Sequence, residues 1–369
     1  MSREAVFEAS TEFFLAPVGE YLRDETVTEI MVNGWDRIYI ERAGKLELTD
    51  ASFADEDALI AAINNIAQWV GRTVDPDHPV LDARLPDGSR VHAILPPTAR
   101  TGVYLTIRKF SRRVMNLPEL VRLGSLSAAA REFLEICVRL RKNILISGGT
   151  GTGKTSLLNA LSAAIPEEER IVVIEDTSEL RLNQKHTLYL EARAREEYGK
   201  GSTLRALFVA SLRMRPDRII LGEVRAGEAL DMVQSMLSGH AGSLSTIHAN
   251  MARDSLIRLE TLSMMSDVEM PVHVARTQVA SAIHLVVQIA RFPEDGSRRI
   301  TQIAEVCGLG SEDRYVLRDL LVSRYHGKRK DGSLAITLEQ TGELPTFAAD
   351  PREQGLAGMI RESEALWTK

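Results

Sequence analysis

The run Gly148-Gly149-Thr150-Gly151-Thr152-Gly153-Lys154-Thr155 sets four glycines, a lysine and hydroxyl side chains in the spacing GxxxxGK[ST]. A loop of this kind lets successive backbone N–H groups turn inward around phosphate oxygens. It follows the apolar run Asn143–Ser147 and leads into SLLNALSAA, a helical stretch beginning at Ser156, so the positive end of a helix would add to the cradle. Lys154 would neutralise β- and γ-phosphates, and Thr155 would offer its hydroxyl to Mg2+. These residues, Ser156 included, form the expected nucleotide cradle.

Phosphate chemistry also needs an acid. Arg218-Ile219-Ile220-Leu221-Gly222-Glu223 reads as a buried strand with a carboxylate at its carboxyl end, where ligands bind in open parallel sheets. Gly222 stands where an aspartate customarily holds the metal. Glu223 is therefore cast as the residue that orients or activates an attacking water.

Such groups must be positioned by strands and helices. From about residue 128 short apolar runs (Asn143–Ser147, Ile171–Ile174, Arg218–Leu221) alternate with helical spacing at Leu204, Leu207, Phe208 and Leu212, and again at Ala229, Met232, Val233 and Met236. That alternation predicts an α/β domain with a parallel sheet covered on both faces. Ile283–Ile289 and Ile300–Val306 flank Pro293-Glu294-Asp295-Gly296 and predict a strand pair with a turn. Residues 1–112 read differently. Ala58, Ile63, Ile66, Ala67 and Val70 recur at helical spacing before Gly71, between short strand signals at Ile38–Ile40, Arg90–Leu95 and Tyr104–Ile107, which predicts a smaller α+β domain. Asn116-Leu117-Pro118 and Gly124 suggest a linker over 113–127.

Composition narrows the class. At 369 residues the chain exceeds one ordinary core, and 44% apolar with 26% charged residues is globular. No apolar run is long enough to span a bilayer and the N-terminus lacks a signal pattern, so a cytoplasmic protein is expected. Cys137 and Cys307 are the only cysteines, too few for a disulfide framework or a four-cysteine zinc site. A net charge of −6 argues against a general nucleic-acid footprint, although Arg108, Lys109, Arg112 and Arg113, and Lys328, Arg329 and Lys330, form local basic clusters.

LRMRPDRIILGEVR, followed by GHAGSLSTIHAN and preceded by IVVIEDTSEL, resembles the ATPase superfamily of type II and type IV secretion and type IV pili. RLPDGSRVHAILPP with LTIRKF looks most like its tight-adherence (Tad) pilus and type IV secretion branches. The resemblance covers about residues 20–310; the CxxC zinc module of many type II assembly ATPases is missing, and the tail after about 310, with HGKRKDGS, carries no counterpart. It implies an N-terminal sensing domain joined to a RecA-like P-loop ATPase domain, using ATP and Mg2+ and assembled as a ring, most often a hexamer, against an inner-membrane platform protein. Glu175, Asp176 and Glu179 would be the acidic box that reaches Mg2+ through its waters, with Glu175 also catalytic. His248 would face the γ-phosphate, with His240 in the same box; Arg90 and Arg108 would reach the nucleotide from the N-terminal domain, and Arg213 and Arg215 would act at the subunit boundary. Beside a secretion or pilus motor stand a conjugative DNA-transport ATPase and a nucleotide-gated scaffold with little turnover.

Overall fold

Asp55 ends an extended segment, and its Oδ1 accepts the Ala58 N–H at 2.8 Å, capping the helix Glu56–Trp69. Leu59, Ala62, Ile63, Ile66 and Ala67 fall on one face of that helix and are buried. They pack with Ile30, Val32, Ile38, Ile40, Val91, Leu105 and Ile107. The latter belong to a six-stranded antiparallel sheet of β1 (Val27–Asn33), β2 (Ile38–Arg42), β3 (Lys45–Leu48), β4 (Val80–Arg84), β5 (Arg90–Ile94) and β6 (Tyr104–Arg108), in the order β3-β2-β1-β6-β5-β4. This computed structural model describes residues 3–42, 44–110, 115–192 and 202–368, and the chain forms two compact units, Met1–Arg113 and Val114–Lys369.

The second unit is built on nine strands: β7 (Ile144–Ser147), β8 (Ile171–Glu175), β9 (Thr187–Glu191), β10 (Arg218–Leu221), β11 (Leu244–Ile247), β12 (Leu285–Arg291), β13 (Arg298–Leu309), β14 (Tyr315–Lys328) and β15 (Leu334–Gln340). β12-β7-β11-β10-β8-β9 run parallel, and β13, β14 and β15 extend the β12 edge antiparallel. Successive strand side chains point to opposite faces, so every parallel strand but the edge strand β9 feeds two cores. On one face Ile144, Ile146, Ile171, Val173 and Ile220 pack with helices Ala128–Arg139 and Lys154–Ser162. On the other, Leu145, Val172, Ile174, Ile219 and Leu221 pack with helices Leu204–Ser211, Glu228–Leu237, Ala252–Met264 and Val272–Ala282.

Two expectations change. Where a linker is expected, Asn116 caps the Glu119 N–H at 2.8 Å and starts a helix, Leu117–Arg122, whose Leu117 and Leu120, with Leu126 beyond, lie buried in the second unit. Pro118 sits in the first turn, where its missing N–H costs nothing, so it starts a helix rather than breaking one. Residues 111–114, including Arg112 and Arg113, lie outside the described residues. The tail, read as an extension or a last hairpin, is a β14–β15 hairpin followed by a strap that returns to the core. Buried Glu132 accepts the N–H groups of Arg361, Glu362 and Ser363 at 2.7 to 3.0 Å, and Trp367 lies 4.9 Å from Phe133, ring centre to ring centre.

One buried charge locks the amino edge of the parallel sheet. Arg218 is fully buried; it donates to Glu169 from Nε at 2.5 Å, to the Val138 carbonyl at 2.8 Å and to the Gly242 carbonyl at 3.0 Å. A buried guanidinium is tolerated only when paired and hydrogen-bonded in this way. Asn143 Oδ1 accepts the Gly242 and Ser243 N–H groups at 2.6 and 3.1 Å, tying the start of β7 to the start of β11. Gly242 has φ +87°, and a Cβ there would stand 1.8 Å from Arg218 NH1. Gly242→Ala should therefore cost about 2–4 kcal/mol, because strained backbone and a displaced buried charge add. A denaturant midpoint equal to that of the unmodified chain would contradict this account of the lock.

Candidate nucleotide site

Parallel pairing decides which residues meet. Ser147 is opposite Ile247, and Ile174 is opposite Leu221, so the segments leaving β7, β11, β10 and β8 emerge side by side at the carboxyl edge. Those segments begin with Gly148, His248, Gly222 and Glu175-Asp176. The expected loop, His248, Glu223 and the acidic box are brought together there.

The loop wraps the start of the helix Lys154–Ser162. Gly148 passes so close to β12 that a Cβ would lie 2.5 Å from the Ile289 carbonyl, and Gly153 turns with φ +96°. Thr152 Oγ1 donates to the Gly149 carbonyl at 2.9 Å, while Thr150 and Gly151 are exposed at the rim. Lys154 is buried, its Nζ 2.8 Å from the Gly149 carbonyl and 3.3 Å from His248 Nδ1. Thr155 and Ser156 occupy the first helical turn, where N–H groups have no intrahelical partner. The donor set is that of a polyphosphate site: converging N–H groups, a helix N-terminus and one ammonium.

From Lys154 a chain of alternating charge crosses the edge. His248 Nε2 lies 2.7 Å from Glu223 Oε1; Arg225 donates to Glu223 Oε2 at 2.7 and 2.9 Å and reaches Asp176 Oδ2 at 2.6 Å. Burial first, then the Lys154 ammonium, hold the His248 pKa below its ordinary value, with Glu223 opposing. Burial and the ammonium both favour the neutral ring. The tautomer that satisfies both neighbours carries its proton on Nε2, donates to Glu223 and turns the Nδ1 lone pair to Lys154. Thr246 Oγ1 donates to the Gly222 carbonyl at 2.7 Å, and Gln288 Nε2 donates to the Ala249 and Asn250 carbonyls at 3.3 and 3.2 Å, so both arms of the His248–Glu223 pair are held from behind.

Glu175 ends β8 and is buried, with Oε1 accepting the Glu179 and Leu180 N–H groups at 2.9 Å each. Burial nevertheless pushes its pKa up to about 7. Its side chain fills the space an aspartate at 222 would need: a Cβ on Gly222 would stand 3.0 Å from Glu175 Cγ. The missing aspartate is thus a trade of one carboxylate position for another. Among the described residues no three His, Cys, Asp or Glu side chains are grouped to hold a metal by themselves.

Other expected residues lie elsewhere. His240 precedes β11 and Arg213 and Arg215 precede β10, at the amino edge, a strand's length from the loop of their own chain. Strand direction is the reason: the box GHAGSLSTIHAN spans β11 from end to end, so only His248 reaches the carboxyl edge. His240 instead bonds locally, its carbonyl accepting Ser243 Oγ at 2.9 Å, and Arg213 and Arg215 are exposed. Arg90 and Arg108 belong to the first unit, directly opposite each other in register, with Glu29 opposite Arg108 on the other side. Sequence reasoning missed Arg225, although residues two apart in an extended chain share a side with each other and Glu223 stands two before it. It also missed Arg298, the first residue of β13, whose Nε donates to the Gly151 carbonyl at 2.8 Å. Nothing local in the sequence marks that contact, which only the β12–β7 pairing creates.

Gly222→Asp tests the trade at the metal position. The added carboxylate should displace Glu175, cost about 1–3 kcal/mol through overpacking and lower nucleotide turnover rather than raise it. Turnover at or above the unmodified level, with an unchanged unfolding midpoint, would show that the two carboxylates do not compete.

Comparison with known proteins identifies the family. The family model described as type II/IV secretion system protein matches residues 13–319. Over 321 residues the chain is 36% identical to the type IV secretion system protein PtlH of Bordetella pertussis, covering 79% of this chain and 94% of that one. It is 33% identical over 290 residues to the putative conjugal transfer protein Rv3659c of Mycobacterium tuberculosis, covering 77% and 82%. The crystal structure of the ATPase DotB of Legionella pneumophila superposes with a TM-score of 0.55 at 17% identity over 84% of this chain and 80% of that one, which shows a shared fold. With a family match over most of its length and relatives above 30% identity, the chain belongs to the type II/IV secretion system protein family that its motifs resemble.

Proposed function

We propose that the chain is an ATP-hydrolysing motor of a bacterial secretion or type IV pilus-like system. The observation that carries this is His248 held 2.7 Å from Glu223 and 3.3 Å from Lys154, at the mouth of the glycine loop. Glu223 is placed to accept a proton from a water attacking the γ-phosphate. His248 fixes that carboxylate from one side and Arg225 from the other. When a triphosphate enters, Lys154 exchanges the Gly149 carbonyl and His248 for phosphate oxygens, and His248 is left facing the terminal phosphate, to which its ring can donate only once Nδ1 carries a proton. Loss of that phosphate removes the anion facing His248, so the residue that orients Glu223 also registers the completion of hydrolysis. A bound Mg2+ would neutralise phosphate charge, held by Thr155 and, through its waters, by Glu175, Asp176 and Glu179. The raised pKa of Glu175 fits a carboxylate that ionises fully only beside such a cation.

Arg90 and Arg108, neighbours in the first unit, supply fixed donors suited to γ-phosphate charge. Arg213 and Arg215 stand at the amino edge and serve a nucleotide only if a second copy brings its own carboxyl edge to them. That requirement supports a closed ring, with six copies as the reading. Such a ring would work at the cytoplasmic face of the inner membrane against a platform protein. No helix among the described residues is long and apolar enough to cross the membrane. The net charge of −6 disfavours direct tracking of DNA, so a conjugative role would run through the assembled machine.

Three variants test the chemistry. Lys154→Ala should weaken ATP binding by about 10-fold or more; Glu223→Gln should bind normally and lose most turnover, about 100-fold; Arg108→Ala should lower turnover while keeping ADP affinity. Turnover near normal in Glu223→Gln would remove that residue from the water-activating role.

Mixing tests the ring. Subunits carrying Arg213→Ala with Arg215→Ala, mixed with Glu223→Gln subunits, form junctions where one copy supplies the glutamate and its neighbour the arginines. Each variant alone should be inactive and turnover should recover on mixing; full turnover in the arginine variant alone would place these residues outside the site, and a co-assembled mixture that stays inactive would rule out their acting from a neighbouring subunit.

A further inference from the structure

Arg298 is used by none of the chemistry above, yet it touches the nucleotide loop. Its Nε donates to the Gly151 carbonyl at 2.8 Å, and its Cδ would lie 3.3 Å from a Cβ on Gly153. A peptide unit is planar and trans, so its carbonyl and the following N–H point in opposite directions. Holding the Gly151 carbonyl on Arg298 therefore fixes the direction of the Thr152 N–H, which must point away from Arg298.

Arg298 is itself held in place by the last strand of the sheet. The next residue, Arg299, is buried and donates to the Leu334 and Ile336 carbonyls of β15 at 3.2 and 3.4 Å. Asp295, in the same turn, accepts the Leu334 N–H at 2.9 Å and the Ser297 N–H at 2.9 Å. β15 lies beyond residue 319, outside the segment matched to the family. The turn is thus gripped on one side by the loop and on the other by an element outside the shared core.

We propose that Arg298 is a positioning residue of the phosphate loop, orienting the Thr152 N–H, and that β15, acting through Asp295 and Arg299, sets where Arg298 stands. The inference rests on the nucleotide site proposed above. It assigns the hairpin a regulatory role: whatever displaces β15 loosens the loop. Because the affected N–H belongs to the part of the cradle that holds the α- and β-phosphates, ATP and ADP should suffer alike. This separates Arg298 from Arg108, whose effect depends on the γ-phosphate.

The experiment measures binding of a fluorescent ATP analogue, competition by ADP, steady-state turnover and the thermal midpoint of the nucleotide-free protein. Arg298→Ala should weaken ATP and ADP about 5- to 10-fold, the worth of one charge-assisted hydrogen bond, raise KM similarly and leave kcat and the thermal midpoint nearly unchanged. Arg298→Lys, which keeps a donor, should recover part of the affinity. Asp295→Ala should give a smaller loss in the same direction, about 2- to 3-fold. Unchanged affinity in Arg298→Ala, or a loss of ATP alone, overturns the positioning role; normal affinity in Asp295→Ala overturns the link to β15. If the unmodified chain binds neither nucleotide, the failure belongs to the site itself and not to Arg298.

Discussion

Five parallel strands buried on both faces, with β9 half-exposed beyond them at the edge, leave polar chemistry nowhere to go but their ends, and the rest of the second unit follows from that constraint. Every strand interior is committed to one of two apolar cores, so loops carry the charge. Since parallel strands point the same way, the loops divide into two edges of distinct character. At the carboxyl edge phosphate donors and carboxylates gather within hydrogen-bonding distance. At the amino edge the same sheet is closed by Arg218, Glu169, Asn143 and Gly242, a buried network fully occupied with itself.

The carboxyl edge is organised as alternating charge, Lys154 to His248 to Glu223 to Arg225 to Asp176. Each member is satisfied by its neighbours, so the edge avoids the cost of unpaired buried charge. A neutral histidine in the middle allows this. It can accept from an ammonium on one nitrogen and donate to a carboxylate from the other, and it loses that ability on protonation. A triphosphate competes for Lys154, the one member that also belongs to the loop. In the proposed mechanism, binding and catalytic readiness would be coupled through that single ammonium.

Two features show how the scaffold has been adjusted around this arrangement. Gly222 leaves room for Glu175, so the carboxylate that would ordinarily extend from β10 comes from β8 instead and is buried enough to hold its proton near neutrality. On the other flank the antiparallel strands β13, β14 and β15 extend the sheet beyond the parallel core and bring Arg298 to the rim of the loop. Both adjustments act on the position of main-chain or carboxylate groups and leave the loop's own residues untouched.

Much of this was legible in the order of residues. The glycine loop, the strand ending at Glu223, the alternation of strand and helix and the β12–β13 turn are local patterns, because a phosphate loop must be contiguous and a buried strand must be apolar along its length. Pro118 misled, since a proline ends a helix or begins one according to the cap before it, and Asn116 decides that here. His240 misled for a different reason: a motif that runs the length of a strand delivers its two ends to opposite edges. What only the tertiary structure decided are the pairings between distant segments: Arg225 with Asp176, Glu175 in the space above Gly222, Arg218 against Gly242, Arg298 on Gly151. Each depends on which strand lies beside which, and strand order is set by the burial of two whole faces at once rather than by any neighbourhood of the chain.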